Sequence, residues 1–316
     1  MLNALPLSPV DNTSPTKLVD RISVQDIIER YLADWGVDVT EYFFGLRDVA
    51  ILECQRTGYR FYFPHSIAGE GKIYEHVHGT SADNPDLYRI WGFDYEFAFQ
   101  RIAPGEAVLD IGCGAGHFLK RVIEKAPQSK GLELSPFGHE KCLSRGLNVE
   151  RKTIQDYAST CSEQFDTVCV FQVLEHVPQV HGFLASAISI LKKRGKLIIG
   201  VPNNEPFIRR FDKYHPNNMP PHHAGLWNHR ALANLAPLFE LSLREFEYDE
   251  NPKRWVVDAY LRARLWTDIK TEIHHHSWLE KAKMLAVAPV TVPLSFVDYL
   301  RGAIHGNFIV ACFEKQ

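Results

Sequence analysis

Asp110, the glycines Gly112, Gly114 and Gly116, and Glu133 are the residues whose types and spacing point most directly to a ligand. In VLDIGCGAGHFLKRVIEK an apolar run carrying Asp110 opens through a glycine-rich turn into a helical pattern, which lets the backbone approach a bound nucleoside without side chains in the way. The spacing Gly112-x-Gly114-x-Gly116 puts His117 where a dinucleotide fingerprint has its third glycine, so a pyrophosphate is disfavoured. A carboxylate just before the first glycine repels a diphosphate and attracts an ammonium or sulfonium group. Glu133, at the end of the next apolar run, can accept hydrogen bonds from ribose hydroxyls. Acids on both sides of one glycine loop point to a cationic nucleoside.

Histidines form the second group. His176 stands in LEHV directly after a strongly apolar run, and YHPNNMPPHHAGLWNHR holds His215, His222, His223 and His229 in a long connection of the kind that is usually functional. An imidazole takes up a proton near neutral pH, so His176, His222 and His223 are candidate bases for an acceptor hydroxyl, with Trp227 as a wall. His222 and His223 with His176 and Glu175 could also offer nitrogen and oxygen to a metal, although no metal is expected. His274, His275 and His276 are consecutive, point in different directions on a helix and are expected at the surface.

The elements that must position these residues follow from periodicity. From Gly105 onward strands alternate with helices, at Ala107–Ile111, Gly131–Leu134, Val149–Thr153, Phe165–Phe171, Lys196–Val201, Leu241–Phe246 and Asn307–Phe313. This predicts an α/β fold built on a seven-stranded, mostly parallel sheet with helices on both faces. Residues 1–17 read as a loose lead-in, Val19–Trp35 as one amphipathic helix, Val49–Cys54 and Tyr59–Phe63 as a hairpin, and Pro85–Ile102 as an aromatic-rich helix closed by Pro104-Gly105. The chain thus divides into a cover over 1–104 and a ligand-binding unit over 105–316 with insertions at 203–230 and 250–305, the latter helical.

The ordered segments LDIGCGAG, GLELS, FDTVCVFQVLEHV and LKKRGKLIIGVPN resemble the motifs of the class I S-adenosylmethionine-dependent methyltransferases. The resemblance implies a Rossmann-like fold, S-adenosyl-L-methionine as co-substrate and transfer of a methyl group. It places Asp110 and the backbone of Gly112, Cys113, Gly114 and Gly116 at the methionine part, Glu133 at the ribose, and Leu134, Ser135, Gln155 and Asp156 at the adenine. Phe171 and Gln172 would close the cleft, and Tyr88 would cover the cofactor. Bland readings stand beside these, Asp156 as part of a helix cap and Phe171 as core. Some quinone-pathway relatives place acids around a similar LEHV segment for a divalent ion, where this chain has Gln172. AILECQRTGYRFYFP is similar to the region of sugar methyltransferases that holds a zinc ribbon. Thr57 replaces its second cysteine, so a degenerate, metal-free hairpin is expected. The implied acceptor is a hydroxyl of a small molecule, a sugar or glycan first. Alternatives are a quinone-like or lipid-like phenol at a membrane surface, or a binding protein that transfers nothing.

Composition narrows the classes further. The 316 residues are 45% hydrophobic and 23% charged, which excludes wholesale disorder. Lys+Arg 35 against Asp+Glu 38 gives −3, no field for gathering nucleic acid, and none is expected as a partner. The 6 cysteines lack any CxxC pair and read as free thiols in a reducing compartment. The N-terminal residues lack a signal-peptide pattern, and Met284–Leu300 is interrupted by Pro289 and Pro293, so a cytoplasmic protein without stable membrane insertion is expected. A homodimer is left open.

Overall fold

The computed structural model describes residues 5–69, 91–204, 216–249 and 306–316, together with positions 286, 289 and 293. A seven-stranded sheet forms its centre, in the order β10-β11-β8-β7-β4-β5-β6. The strands are β4 (Val108–Ile111), β5 (Lys130–Leu132), β6 (Val149–Glu150), β7 (Phe165–Phe171), β8 (Leu191–Pro202), β10 (Leu241–Tyr248) and β11 (Phe308–Lys315). β6, β5, β4, β7 and β8 are parallel neighbours, while β11 and β10 run antiparallel at one edge. All seven strands match the expected pattern, and their ends shift by a few residues.

β7 is an unbroken apolar run apart from Asp166 and Thr167, as a strand buried on both faces must be. Its alternate residues feed two cores. Val108, Cys169, Ile198 and Val310 pack with α2 (Phe93–Arg101) and α3 (His117–Val122) on one face. Leu109, Val168, Val170, Leu197 and Ile199 pack on the other with α5 (Ile154–Thr160), α6 (Val180–Ser189) and α7 (His229–Ala233). α4 (Pro136–Ser144) joins α3 through Cys142, Leu119 and Leu147.

A second, antiparallel sheet contains β1 (Thr16–Ser23), β2 (Asp48–Cys54), β3 (Arg60–Phe63) and β9 (Gly225–Leu226). The expected hairpin is β2–β3. Its turn is held by the Cys54 sulfur, which accepts from the Thr57 amide at 3.4 Å, and by the Thr57 hydroxyl, which accepts from the Tyr59 amide at 3.2 Å. Helix α1 (Val24–Trp35) lies on one face with Ile27 and Tyr31 against Ile51, Tyr62 and Leu226. Tyr59, Phe61 and Trp227 join the main core from the other side.

Several expectations need correction. The helix foreseen from Val19 starts at Val24, because residues 16–23 pair with β2 as a strand. Its apolar Leu18 and Val19 are exposed, so they carry no helical stripe. The lead-in is not loose throughout, since Ser8 and Val10 are wholly buried and Val10 belongs to the main core. The division near residue 104 is crossed twice, by α2 packing on the large sheet and by β9 returning to the small one. The insertion 250–305 lies outside the described residues apart from positions 286, 289 and 293. Among the described residues no helix is long and apolar enough to cross a membrane.

Trp227 is no solvent-facing wall. It is wholly buried, with its ring centroid 4.3 Å from that of Tyr59. Trp227→Ala should therefore lower stability by about 3–5 kcal/mol, the usual consequence of emptying a large aromatic site. Urea unfolding checks this, and a loss below about 1 kcal/mol would mean that the two sheets are not joined through this ring.

Candidate cofactor and acceptor site

The glycine loop leaves the carboxyl end of β4, where open α/β sheets bind ligands. Gly112 has φ of 72°, and a Cβ there would lie 2.3 Å from Val173 Cγ2. Gly116 has φ of 77°, and its Cβ would lie 2.4 Å from Leu147 Cδ1. Both positions need glycine for conformation and for space. The Gly112 and Cys113 amides donate to the Leu132 carbonyl at 2.8 and 3.0 Å, which ties the loop to β5. The Cys113 thiol points to Cys142, 3.9 Å between sulfurs, so only its backbone can face a ligand.

Glu133 closes the loop from β5. One carboxylate oxygen accepts from the Gly114 amide and the other from the Ser135 amide, both at 2.7 Å. Ser135 also caps α4, its hydroxyl accepting from the Gly138 amide at 3.3 Å. Leu134 is 55% exposed. Gln155 and Asp156 are exposed in the first turn of α5. There Thr153 is the cap: its hydroxyl accepts from the Asp156 amide at 3.1 Å and donates to the Asp156 carboxylate at 2.7 Å. Phe171 packs edge-on against Tyr95 and Phe118 at 5.1 and 5.0 Å between centroids. Tyr88 lies outside the described residues.

The structure adds Asp94, which the sequence reading missed. Asp94 is wholly buried in the first turn of α2, and its Oδ2 accepts from Gln172 Nε2 at 3.3 Å. It lies so close to β8 that a Cβ on Gly200 would sit 3.0 Å from it. Gln172 has φ of 55°, a left-handed conformation that a non-glycine residue holds only when its surroundings impose it. Asp94 falls in the middle of the helix expected over Pro85–Ile102, whereas residues 91 and 92 are not helical and the helix starts at Phe93, so the pattern offered no helix-start signal there.

Electrostatics unite these groups. Burial, then Glu133 and Asp94, push Asp110 up to about 8. Burial raises Glu133 too, against the pull of the Ser135 and Gly114 amides. Several acids crowded into a water-poor pocket favour a ligand that brings positive charge. The cradle therefore fits the sulfonium and ammonium groups of S-adenosylmethionine: the loop backbone and Asp110 would hold the methionine part and Glu133 the ribose.

Histidines meet beside this pocket. His176 follows β7 in a short 3-10 turn, Leu174–His176, and His222 and His223 sit in the turns before β9. Pairwise ring-centroid distances among the three are 4.7–4.8 Å. His176 Nδ1 lies 2.7 Å from the His222 carbonyl oxygen, which can only accept, so Nδ1 carries the proton and a neutral ring keeps its lone pair on Nε2. The Ala224 amide donates to the Glu175 carbonyl at 2.8 Å, fixing the two segments together. Glu175 is buried, and burial followed by Asp94 pushes its carboxyl up to about 8. Asp94 thus acts on both Asp110 and Glu175, linking the cofactor cradle to the histidines. His229 is elsewhere, with Nδ1 2.9 Å from the Tyr248 hydroxyl, and His215 and His274–His276 lie outside the described residues.

The profile of the methyltransferase-domain family matches residues 86–245. The chain belongs to the class I S-adenosylmethionine-dependent methyltransferases. It is similar to the ubiquinone biosynthesis O-methyltransferase of Xanthomonas axonopodis pv. citri (strain 306), 29% identical over 134 residues that cover 40% of this chain and 56% of that protein. The enzyme of the same name from Xanthomonas euvesicatoria pv. vesicatoria (strain 85-10) is 31% identical over the same shares. The chain spans a little over half the length of these relatives. Among solved structures it resembles the N-methyltransferase NodS of Bradyrhizobium japonicum WM9 with S-adenosyl-L-homocysteine, at TM-score 0.45 and 16% identity, covering 77% of this chain and 97% of that one. A SAM-dependent methyltransferase from Archaeoglobus fulgidus gives TM-score 0.44 and 17% identity, covering 70% and 94%.

Asp110 sets a pH signature. Its carboxyl is raised from the usual 3.8 to about 8 on folding, so the folded chain holds this proton more tightly than the unfolded one. The resulting stability is complete below the unfolded value and is lost as pH rises through the folded one. Asp110→Asn, which cannot ionise, should gain on the wild type by on the order of a few kcal/mol between about pH 5 and about pH 8 in ligand-free denaturation. A difference that stays flat over that range would show that Asp110 does not titrate there.

Proposed function

We propose that the protein moves a methyl group from S-adenosylmethionine to a hydroxyl oxygen of a small phenol-like molecule. The observation that carries this reading is the cluster of half-buried His176 with buried His222 and His223 at the carboxyl end of β7, next to the acidic cradle. Bound S-adenosylmethionine supplies an electrophilic methyl on a sulfonium centre. The protein's task is to hold that centre and to strip the acceptor oxygen of its proton as it approaches in line. Glu133 can serve the ribose without giving up its amide partners, because each carboxylate oxygen has a second lone pair. The imidazoles supply basic nitrogen where the acceptor must enter, and activate its hydroxyl.

The phenolic acceptor draws support from the O-methyltransferase names of the curated relatives. A sugar acceptor needs an aromatic face to stack on. Trp227 is locked in the core, and Trp91 stacks under the Arg121 guanidinium at 4.3 Å, so neither ring is free to lie on a sugar.

Glu133→Ala should weaken S-adenosylmethionine binding by about 1.5–3 kcal/mol, the worth of hydrogen bonds to a charged group, as read by calorimetry. An unchanged affinity removes the ribose role. His176→Ala and His223→Ala should keep cofactor affinity while lowering turnover on a catechol-type acceptor by roughly 100-fold or more. Turnover within a few-fold of wild type in both would place acceptor activation elsewhere.

A further inference from the structure

We propose that His176, His222 and His223 form a three-imidazole site for a borderline divalent cation of the zinc type, open to one further oxygen ligand. This rests on the reading of the cluster as the acceptor end and specifies how it activates a hydroxyl.

One nitrogen from each ring can be chosen so that all lie within 4.8 Å of one another. Zn–N bonds of about 2.0–2.1 Å set ligand nitrogens roughly 3.3 Å apart in a tetrahedron, so the rings must close by about 1–1.5 Å. The rings of His222 and His223 lie nearly parallel, 17° apart, so one of them must also turn about its side-chain torsions before both lone pairs meet one ion.

The tautomer of His176 is already the one a metal needs, because the His222 carbonyl holds the proton on Nδ1 and directs the Nε2 lone pair outward. Such a backbone acceptor behind a ring is the usual companion of a metal-bound histidine. His222 is braced as well. The Tyr31 hydroxyl accepts from the His222 amide at 3.3 Å and donates to the Met219 carbonyl at 2.9 Å, and Trp35 meets the His222 ring edge-on at 5.7 Å between centroids.

A second observation points to a cation. Glu175 Oε1 lies 3.8 Å from His176 Nε2, while its Oε2 is buried and makes no hydrogen bond among the described residues. A carboxyl group so placed can enter the coordination sphere as a further oxygen ligand. The glutamine at position 172 bears on an all-oxygen ligand set and leaves this nitrogen set intact. Three histidines with one position open is the ligand count of catalytic zinc, which lowers the proton affinity of a bound oxygen.

The test uses the full chain, stripped with chelator, desalted and titrated with Co²⁺ and with Zn²⁺ against an indicator dye. The proposal predicts one equivalent bound, with visible Co²⁺ absorption of a tetrahedral centre. His176→Ala, His222→Ala and His223→Ala should each weaken binding at least tenfold, Glu175→Gln by about tenfold, and replacement of His274, His275 and His276 by alanine should leave it unchanged. Circular dichroism melts identify any variant that fails to fold, and Glu175→Gln and the wild-type stoichiometry then decide. Absence of stoichiometric binding, or binding that survives loss of the cluster and vanishes with the 274–276 run, overturns the site. Calorimetry of S-adenosylmethionine with the stripped protein separates the two readings. Cofactor binding and methyl transfer without metal would sink this inference alone, whereas metal binding without methyl transfer to any hydroxyl acceptor would sink the proposed function alone.

Discussion

Withdrawing carboxylates from water is the constraint on which the rest of this structure depends. Asp110, Glu133, Asp94 and Glu175 are all buried around the carboxyl ends of β4, β5 and β7. An ionised carboxylate in such a place must gain amide donors, find a cation, or keep a proton. Glu133 gains amides. Asp110 and Glu175 are pushed toward the protonated form and stay poised for positive charge. The glycine loop, the tight approach of α2 to β8 at Gly200 and the left-handed Gln172 are the local devices that let this acidic pocket close without steric conflict.

The small sheet has a related purpose. Its β9 strand belongs to the segment that carries His222 and His223, and Tyr31 on α1 ties that segment from behind. Tyr59 and Trp227 then anchor it in the main core. The N-terminal residues thus make the surface against which the histidines are set, so the geometry of the cluster depends on elements distant in sequence from the glycine loop.

This division explains what was legible in the sequence. The strands and the glycine loop announce themselves because local pattern and tertiary role coincide: β7 is apolar throughout and buried on both faces, and Gly112 needs a positive φ whatever surrounds it. β1 was hidden, since its pairing with β2 is long-range and its Leu18 and Val19 are exposed, leaving no alternation of apolar and polar residues to mark a strand. Asp94 was hidden because its meaning lies in Gln172 and Gly200, which only folding brings near. The histidine motif was visible, but its burial and its convergence on His176 required the β3–β9 pairing. Trp227 was misread for the same reason, an aromatic in a loop-like segment being free or buried according to what covers it.

Burial leaves Asp110 protonated near neutral pH until a positive charge arrives beside it. Calorimetric titration of S-adenosylmethionine near neutral pH, in buffers of different ionisation enthalpy, measures this directly through the number of protons exchanged on binding. Tight binding with net release of up to about one proton is expected, as Asp110 ionises against the bound sulfonium. Proton uptake, or no binding, would contradict it.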